Sequence, residues 1–406
     1  MDLGVSLQFP KFRNLQPRIY QHNGTRKILL EDPLRLKDEV LLLPASLAPL
    51  LMLCDGSRDI ESIRRILQMH FEVSIENAEL LQFIKGFDNM LLLENLNAEE
   101  ARRSALEQYR SLPYRAILSA GNSYPADPVD LHAWLQDMLE ASEVNPDPDP
   151  GCGLLSPHID YQRGGDIYAG AWKRAARMIA DADLFLLLGT DHHNGRHPIS
   201  LTRQHYATPF GILPTDQPVV DRIANRLGEA VFAGELFHRG EHSLELILVW
   251  LSHLLGDRRV PVVPVLVGQL PPSAAGEAGH PEVAGEIVEA FQEAFAGRQV
   301  FTIISGDLAH VGPAFDGDPV DDPARATIRA ADENLLRLLS MGAGDEFLHK
   351  IEGDGNIHNI CGVYPAYLGM RWMGSVHGEI TGYSQCPADD QDASLVSVGG
   401  MVFKRR

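Results

Sequence analysis

Cysteine is scarce in this chain: 406 residues carry four, Cys54, Cys152, Cys361 and Cys386. None forms a C-x-x-C pair, so a zinc ribbon, a dithiol redox motif and a disulfide framework all lack support. Long apolar runs are also missing. The longest uncharged apolar stretch is Val40–Cys54, interrupted by Pro44 and Pro49, whereas a membrane-spanning helix needs about 20 residues. No basic stretch followed by an apolar run opens the chain, so no signal peptide is expected, and the expected location is cytoplasmic. Positive charge is in deficit, 35 Lys and Arg against 55 Asp and Glu, a net charge of −20. A body this acidic is a poor partner for a nucleic-acid backbone, which needs Lys and Arg to displace counterions. Hydrophobic residues at 45% and charged residues at 22% still describe a folded protein with room for two domains.

Residues 15–97 read as a small α+β unit. Arg18–His22 and Lys27–Leu30 flank Asn23-Gly24, a hairpin signal. Ser46–Cys54 reads as a buried helix. Asp59–His70 and Ser74–Lys85 carry apolar residues at helical spacing, with Ser57 or Asp59 as N-cap of the first. Met90–Leu93 reads as a closing strand. That order suggests a winged helix. The phrase Leu53-Cys54-Asp55-Gly56-Ser57-Arg58-Asp59-Ile60 resembles the PqqD-like domains, which hold peptides, so a peptide ligand is the expectation for residues 1–97. Residues 98–114 read as a helical connector.

Leu131–Ala141 is an amphipathic helix, and the alternating prolines of 143–151 form a loop. Beyond it, apolar strand candidates alternate with helices. The strands are Gly153–Leu155, Leu184–Leu188, Pro261–Val267 and Val300–Ile304. The helices are Gly170–Ile179, Val219–Leu227, Ser243–Leu255, Ala284–Ala296 and Ala324–Ser340. Ser394–Phe403 is a candidate closing strand. Continuously apolar strands between helices predict an α/β sheet covered on both faces.

Three of the strands end in polar clusters: Ser156-Pro157-His158-Ile159-Asp160-Tyr161, Gly189-Thr190-Asp191-His192-His193-Asn194 and Ser305-Gly306-Asp307-Leu308-Ala309-His310. Ligands of open α/β sheets sit outside the carboxyl ends of strands, so the clusters are expected to converge. Imidazoles from separate strand ends suit a transition metal. A third ligand would come as a carboxylate from Glu241-His242-Ser243-x-Glu245, or as a thiolate from Cys361. Asp191-His192-His193 spells the tripeptide of DHH phosphoesterases, but the further aspartates of that chemistry are not found. Arg163-Gly164-Gly165-Asp166 is too loose for a dinucleotide fingerprint and is read as a junction that lets a helix pack closely under the metal loop. His238, His253 and His280 are read as structural.

Pro157-His158-x-x-Tyr161, Gly189-x-x-His192-His193, Thr208-Pro209-x-Gly211, Glu241-His242-Ser243-x-Glu245, Ser305-x-Asp307-x-x-His310-x-Gly312 and Ile360-Cys361-Gly362 together resemble the MEMO family, the protein B members of the AmmeMemoRadiSam group. Ala120-Gly121-x-Ser123-Tyr124, Val262–Gly268 and Ser384-Gln385-Cys386 extend the resemblance over residues 115–406. It implies an α/β/α sandwich like that of class III extradiol dioxygenases, around one divalent transition metal, with iron first and copper or zinc as alternatives. By motif the ligands would be His158, His192 and Cys361, with His193, Glu241, Asp307 and His310 lining the pocket as acid–base or orienting groups. The implied activity is a non-haem metal-dependent oxidoreductase acting with a radical SAM protein and an AMMECR1-family protein. The other reading is a non-catalytic module holding a peptide or phosphorylated ligand in the same pocket. Ser119 replaces a common His, Ile159-Asp160 replaces Ala-Gly, Thr190-Asp191 replaces Pro-Ser and Leu308-Ala309 replaces an aromatic-Cys pair, all at the pocket walls.

Overall fold

The computed structural model describes residues 7–22, 25–37, 39–193, 197–271 and 279–406. The chain divides into two units, Met1–Ser111 and Leu112–Arg406.

In the first unit, β1 (Gln16–His22), β2 (Thr25–Glu31) and β3 (Leu41–Pro44) form an antiparallel sheet in that order. His22 pairs with Thr25; the Asn23-Gly24 turn itself lies outside the described residues. Helices follow at Ala48–Leu53, Ile60–Phe71, Asn77–Asn89 and Leu96–Ser111. Of the two N-cap candidates, Asp59 serves: its side chain accepts from the Ser62 amide at 2.8 Å, satisfying a first-turn donor that the helix leaves open. Ile63 and Leu67 on one helix, and Leu80, Ile84 and Phe87 on the next, share a core with Ile28, Leu30 and Leu43 of the sheet. Each such side chain contributes about 1.5–3 kcal/mol when fully buried. The strand expected at Met90–Leu93 does not form. Leu91 takes a left-handed φ of 57°, which breaks an extended run. Leu93 makes a single bridge to Phe12, while Leu92 and Leu93 are buried in the core. The apolar run serves packing rather than a ladder.

The second unit carries β4 (Gly153–Ser156), β5 (Leu184–Thr190), β6 (Ile199–Leu201), β7 (Tyr206–Thr208), β8 (Gly211–Leu213), β9 (Val262–Val267), β10 (Val300–Ser305), β11 (His310–Val311), β12 (Val376–Pro387) and β13 (Leu395–Arg405). Eight of them form one mixed sheet in the order β11-β13-β4-β10-β5-β9-β6, with β12 paired to β13, while β7 and β8 pair separately. The middle four, β4, β10, β5 and β9, are parallel. Their residues alternate between two cores. Leu184, Leu186, Val263 and Ile304 face one; Phe185, Leu187, Val262 and Ile303 face the other. Helices Gln217–Leu227, His280–Ala294 and Val363–Met373 supply the first core. Helices Pro128–Ala141, Tyr161–Asp181 and Ser243–Leu255 supply the second.

The helix expected from Gly170 begins nine residues earlier, at Tyr161. Asp160 caps it by accepting from the Arg163 amide at 3.0 Å. Gly164, expected at a junction, is therefore inside the helix, where a Cβ would stand 2.5 Å from Ile159 Cγ2. The helices Gly344–Gly353 and Val363–Met373 and the strand β12 were not expected. Among the described residues no helix is long and apolar enough to cross a membrane.

Register sets the site. Ser305 pairs with Ser156 and Ile304 with Leu188, so β4, β10 and β5 finish level. The loops carrying His158, Asp307 and His192 leave the sheet side by side.

Candidate metal centre

His158, His192 and His242 each bring a ring nitrogen within 4.8 Å of the others'. His158 is enclosed, with 2% of its side chain exposed; His242, at 43%, faces solvent. The His158 ring meets those of His192 and His242 edge-on, with centroids 4.9 and 5.4 Å away. His192 and His242 stack on each other at 4.7 Å.

The tautomers follow from the hydrogen bonds. The Ser305 hydroxyl donates its one hydrogen to the Ser243 carbonyl at 2.6 Å. It can therefore only accept from His158 Nδ1, 3.2 Å away, which leaves Nε2 of His158 with its lone pair free. Nδ1 of His192 donates to Glu241 Oε1 at 2.9 Å, again presenting Nε2. Nδ1 of His242 lies 3.2 Å from the same oxygen. The Glu241 carboxylate also accepts the amides of His192 at 3.0 Å, His242 at 2.8 Å and Ser243 at 2.9 Å. Imidazoles oriented through Nδ1 by a carboxylate or hydroxyl are the usual support of a metal site.

Charge follows burial and neighbours. Burial, then the other two imidazoles, hold His158 well below the usual histidine range, so it is a neutral donor. Burial opposes a charge on His192, but the Glu241 carboxylate and the Cys361 sulfur together outweigh it and hold that ring well above the usual range. Glu241 answers in kind: burial resists its charge, but His192, His242 and His193 together outweigh burial, and the carboxyl sits well below its ordinary value.

Cys361 Sγ lies 3.2 Å from His158 Nε2 and receives the Asp307 amide at 3.4 Å. Burial raises its thiol above the usual range. Its loop and the β10 loop touch at two glycines, where a Cβ on Gly306 would stand 2.5 Å from the Gly362 Cα. The other three cysteines are buried, and all four are free thiols. Asp307 accepts the His158 amide at 2.8 Å, and burial pushes its carboxyl up to about 7.

His193 stands behind the cluster. Its amide donates to Asp191 at 2.9 Å, its ring stacks on Phe237, and its Nε2, 3.9 Å from Glu241 Oε2, is buried with no hydrogen-bond partner among the described residues. Asn194 lies outside those residues. His310 starts β11, with Nδ1 on the Leu308 carbonyl at 3.1 Å and its ring edge-on to Phe315; burial pushes it down to about 4.

Two contributors were missed from the sequence. His242 was read only as part of a carboxylate motif, although an imidazole beside Glu241 was visible there. Ser305 was visible as a polar residue ending an apolar strand. Glu245, offered as a carboxylate ligand, is instead taken up by Arg115, Tyr124 and the amides of Leu118 and Ser119. The atypical wall residues have structural work: Asp160 caps a helix, Thr190 Oγ1 shares its one hydrogen between the Ser305 and Cys361 carbonyls, 3.3 Å from each, and Leu308 and Ala309 are buried.

A family model described as "Memo-like protein" matches residues 115–402. Among curated relatives, a "MEMO1 family protein" of Aquifex aeolicus is 26% identical over 384 residues, covering 93% of this chain and 96% of its own length. A "MEMO1 family protein" of Thermus thermophilus is 27% identical, over 70% of this chain and 81% of its own. "Protein memo-1 homolog" of Caenorhabditis elegans is 28% identical, over 63% of this chain and 70% of its own. With the family model spanning well over half of the sequence and the motif histidines gathered at the carboxyl ends of the central strands, the chain belongs to the MEMO1 family of Memo-like proteins.

Proposed function

We propose that this chain is a mononuclear metal protein and a non-haem oxidoreductase. The observation that carries the reading is the trio of imidazoles within 4.8 Å, two with Nδ1 tied back to Ser305 and Glu241. In this reading His158, His192 and Cys361 hold one divalent transition metal, with His242 beside them at the mouth. Two imidazoles and a thiolate suit iron first, then copper or zinc. The donor set fits: His158 is held neutral, while the His192 ring, held above its usual range, and the raised thiol of Cys361 each lose a proton on metal binding. A metal there supplies Lewis-acid or one-electron redox chemistry.

The chain's own groups then have definite tasks. Glu241 and Ser305 fix the ring orientations. Asp307 holds the His158 loop through its amide. His193 and His310 hold and move protons beside the cluster, because a neutral imidazole accepts a proton at one ring nitrogen and donates one from the other. In the wider reading the unit has the α/β/α architecture of extradiol dioxygenases. The first unit is PqqD-like and takes a peptide, and the partners are a radical SAM protein and an AMMECR1-family protein in the cytoplasm.

A phosphate held at the N-terminus of helix Ser243–Leu255 is the weaker alternative. The amides of His242 and Ser243 are already taken by Glu241, which also places a negative charge where the anion would sit. The test is O2 uptake by the metal-loaded protein with aromatic candidate substrates. Metal-dependent uptake supports the oxidoreductase; stoichiometric metal without any turnover favours a binding module.

A further inference from the structure

Arg115 is fully buried, and its guanidinium meets four acceptors. Nε donates to the His238 carbonyl at 3.0 Å, Nη1 to the Ala116 carbonyl at 2.8 Å and to the Glu245 carboxylate, and Nη2 to the Glu241 carbonyl at 2.7 Å. A buried ion pair is weak evidence for stability, since desolvation offsets much of the attraction. The three carbonyls suggest another use. His238 and Glu241 bracket the turn that leads into helix Ser243–Leu255. Glu241 is the residue whose carboxylate carries His192 and faces His242.

Glu245 extends the grip in the other direction. It accepts the Leu118 amide at 3.0 Å, the Ser119 amide at 2.7 Å and the Tyr124 hydroxyl at 2.7 Å. One residue before Tyr124, the Ser123 carbonyl accepts the Tyr161 amide at 3.1 Å, three residues beyond His158. The pair therefore reaches Glu241, the support of His192 and His242, and the segment leading to Tyr161, without touching the histidines themselves.

We infer that Arg115, seated on Glu245, is a positioning residue: it fixes the Glu241 backbone so that the Glu241 carboxylate orients His192 and His242 for metal. The inference rests on the metal reading above. Five N–H donors in a fixed planar fork are what four convergent acceptors require. A lysine offers a point charge with three rotatable donors, so Arg115→Lys keeps the charge and loses the fork.

The test uses the full chain and two readouts. Cobalt(II) binding is followed by its visible absorption in wild type and in Arg115→Lys. Hydrogen exchange of the metal-free proteins is followed at the amides of His192, His242 and Ser243, which all donate to Glu241. The expected result is cobalt affinity weakened about 10- to 100-fold with altered bands. Faster exchange at those three amides is expected, with unchanged exchange in β5 and β9. If Arg115→Lys does not fold, Arg115→Met with Glu245→Gln removes both buried charges together and is expected to show the same two changes. A folded variant with wild-type cobalt affinity, spectrum and local exchange overturns the inference. So does the loss of the fold in both variants, which makes the pair a folding element. Wild type that takes up no cobalt, with local exchange still accelerated in Arg115→Lys, overturns the metal reading and leaves the positioning of Glu241 standing.

Discussion

Cys361 Sγ and His158 Nε2, 203 residues apart in sequence, stand 3.2 Å from each other. The thiol comes from the loop before helix Val363–Met373 and the imidazole from the end of β4. Only the level ends of β4 and β10, and the two facing glycines between the loops, allow that approach.

Glu241 is the hinge of the ligand geometry, because one carboxylate orients His192 and faces His242. Glu241→Gln keeps the shape but can accept at only one of its two heavy atoms. Metal affinity, measured by competition with a chelator, is expected to fall about 10- to 100-fold while the fold survives. Affinity equal to wild type would show that backbone contacts alone orient the rings.

His310 sits at the pocket edge, with Nδ1 on a backbone carbonyl. The proposed ligand set is already complete without it, and its proposed task is proton transfer. His310→Ala is expected to retain bound metal and secondary structure and to lose turnover. Loss of metal would make it a ligand, and full turnover would leave it a packing residue.

Acid sensitivity has a source outside the His158, His192 and His242 cluster. His238 is buried between Tyr206 Oη, 2.7 Å from Nδ1, and the Ser200 carbonyl, 2.9 Å from Nε2. That arrangement suits the neutral ring, and burial pushes its pKa down to about 4. The unfolded chain, near 6.5, binds the proton first. Stability is therefore lost as pH falls from about 6.5 to 4, by about 3 kcal/mol from this one residue. His253, also pushed down to about 4 by burial, adds in the same direction. Urea unfolding of the metal-free protein between pH 7 and 4 is expected to show a shallower pH slope for His238→Gln than for wild type. Equal slopes would contradict the assignment.

The two units have separate cores. Residues 112–406 produced alone are expected to take up metal at the same stoichiometry as the full chain. Insoluble or metal-free material would point to one fused core.

Much of this was legible in the sequence, for physical reasons. The four parallel strands are buried on both faces, so they read as unbroken apolar runs. Their polar ends named His158, His192 and Asp307. The helix Tyr161–Asp181 was cut short because Gly164, Gly165 and Gly170 look like loop residues; their role is close packing, which only tertiary contact reveals. Strand β12 hid because it lies at the sheet edge, mostly half-buried or exposed, with no regular alternation. Leu91 defeated the strand expected at Met90–Leu93 because a left-handed leucine has no composition signal. His242 was passed over because it follows no apolar strand: it precedes the helix Ser243–Leu255, so the strand-end signal that named His158 and His192 does not reach it.

The most direct test is metal analysis of wild type, Cys361→Ser and His192→Ala after anaerobic purification. The account predicts one divalent transition metal per wild-type chain. It predicts much weaker binding in both variants, since a hydroxyl is a poor ligand for these ions and a methyl is none. Full occupancy in both variants, or a wild-type protein that neither carries nor takes up metal, would contradict it.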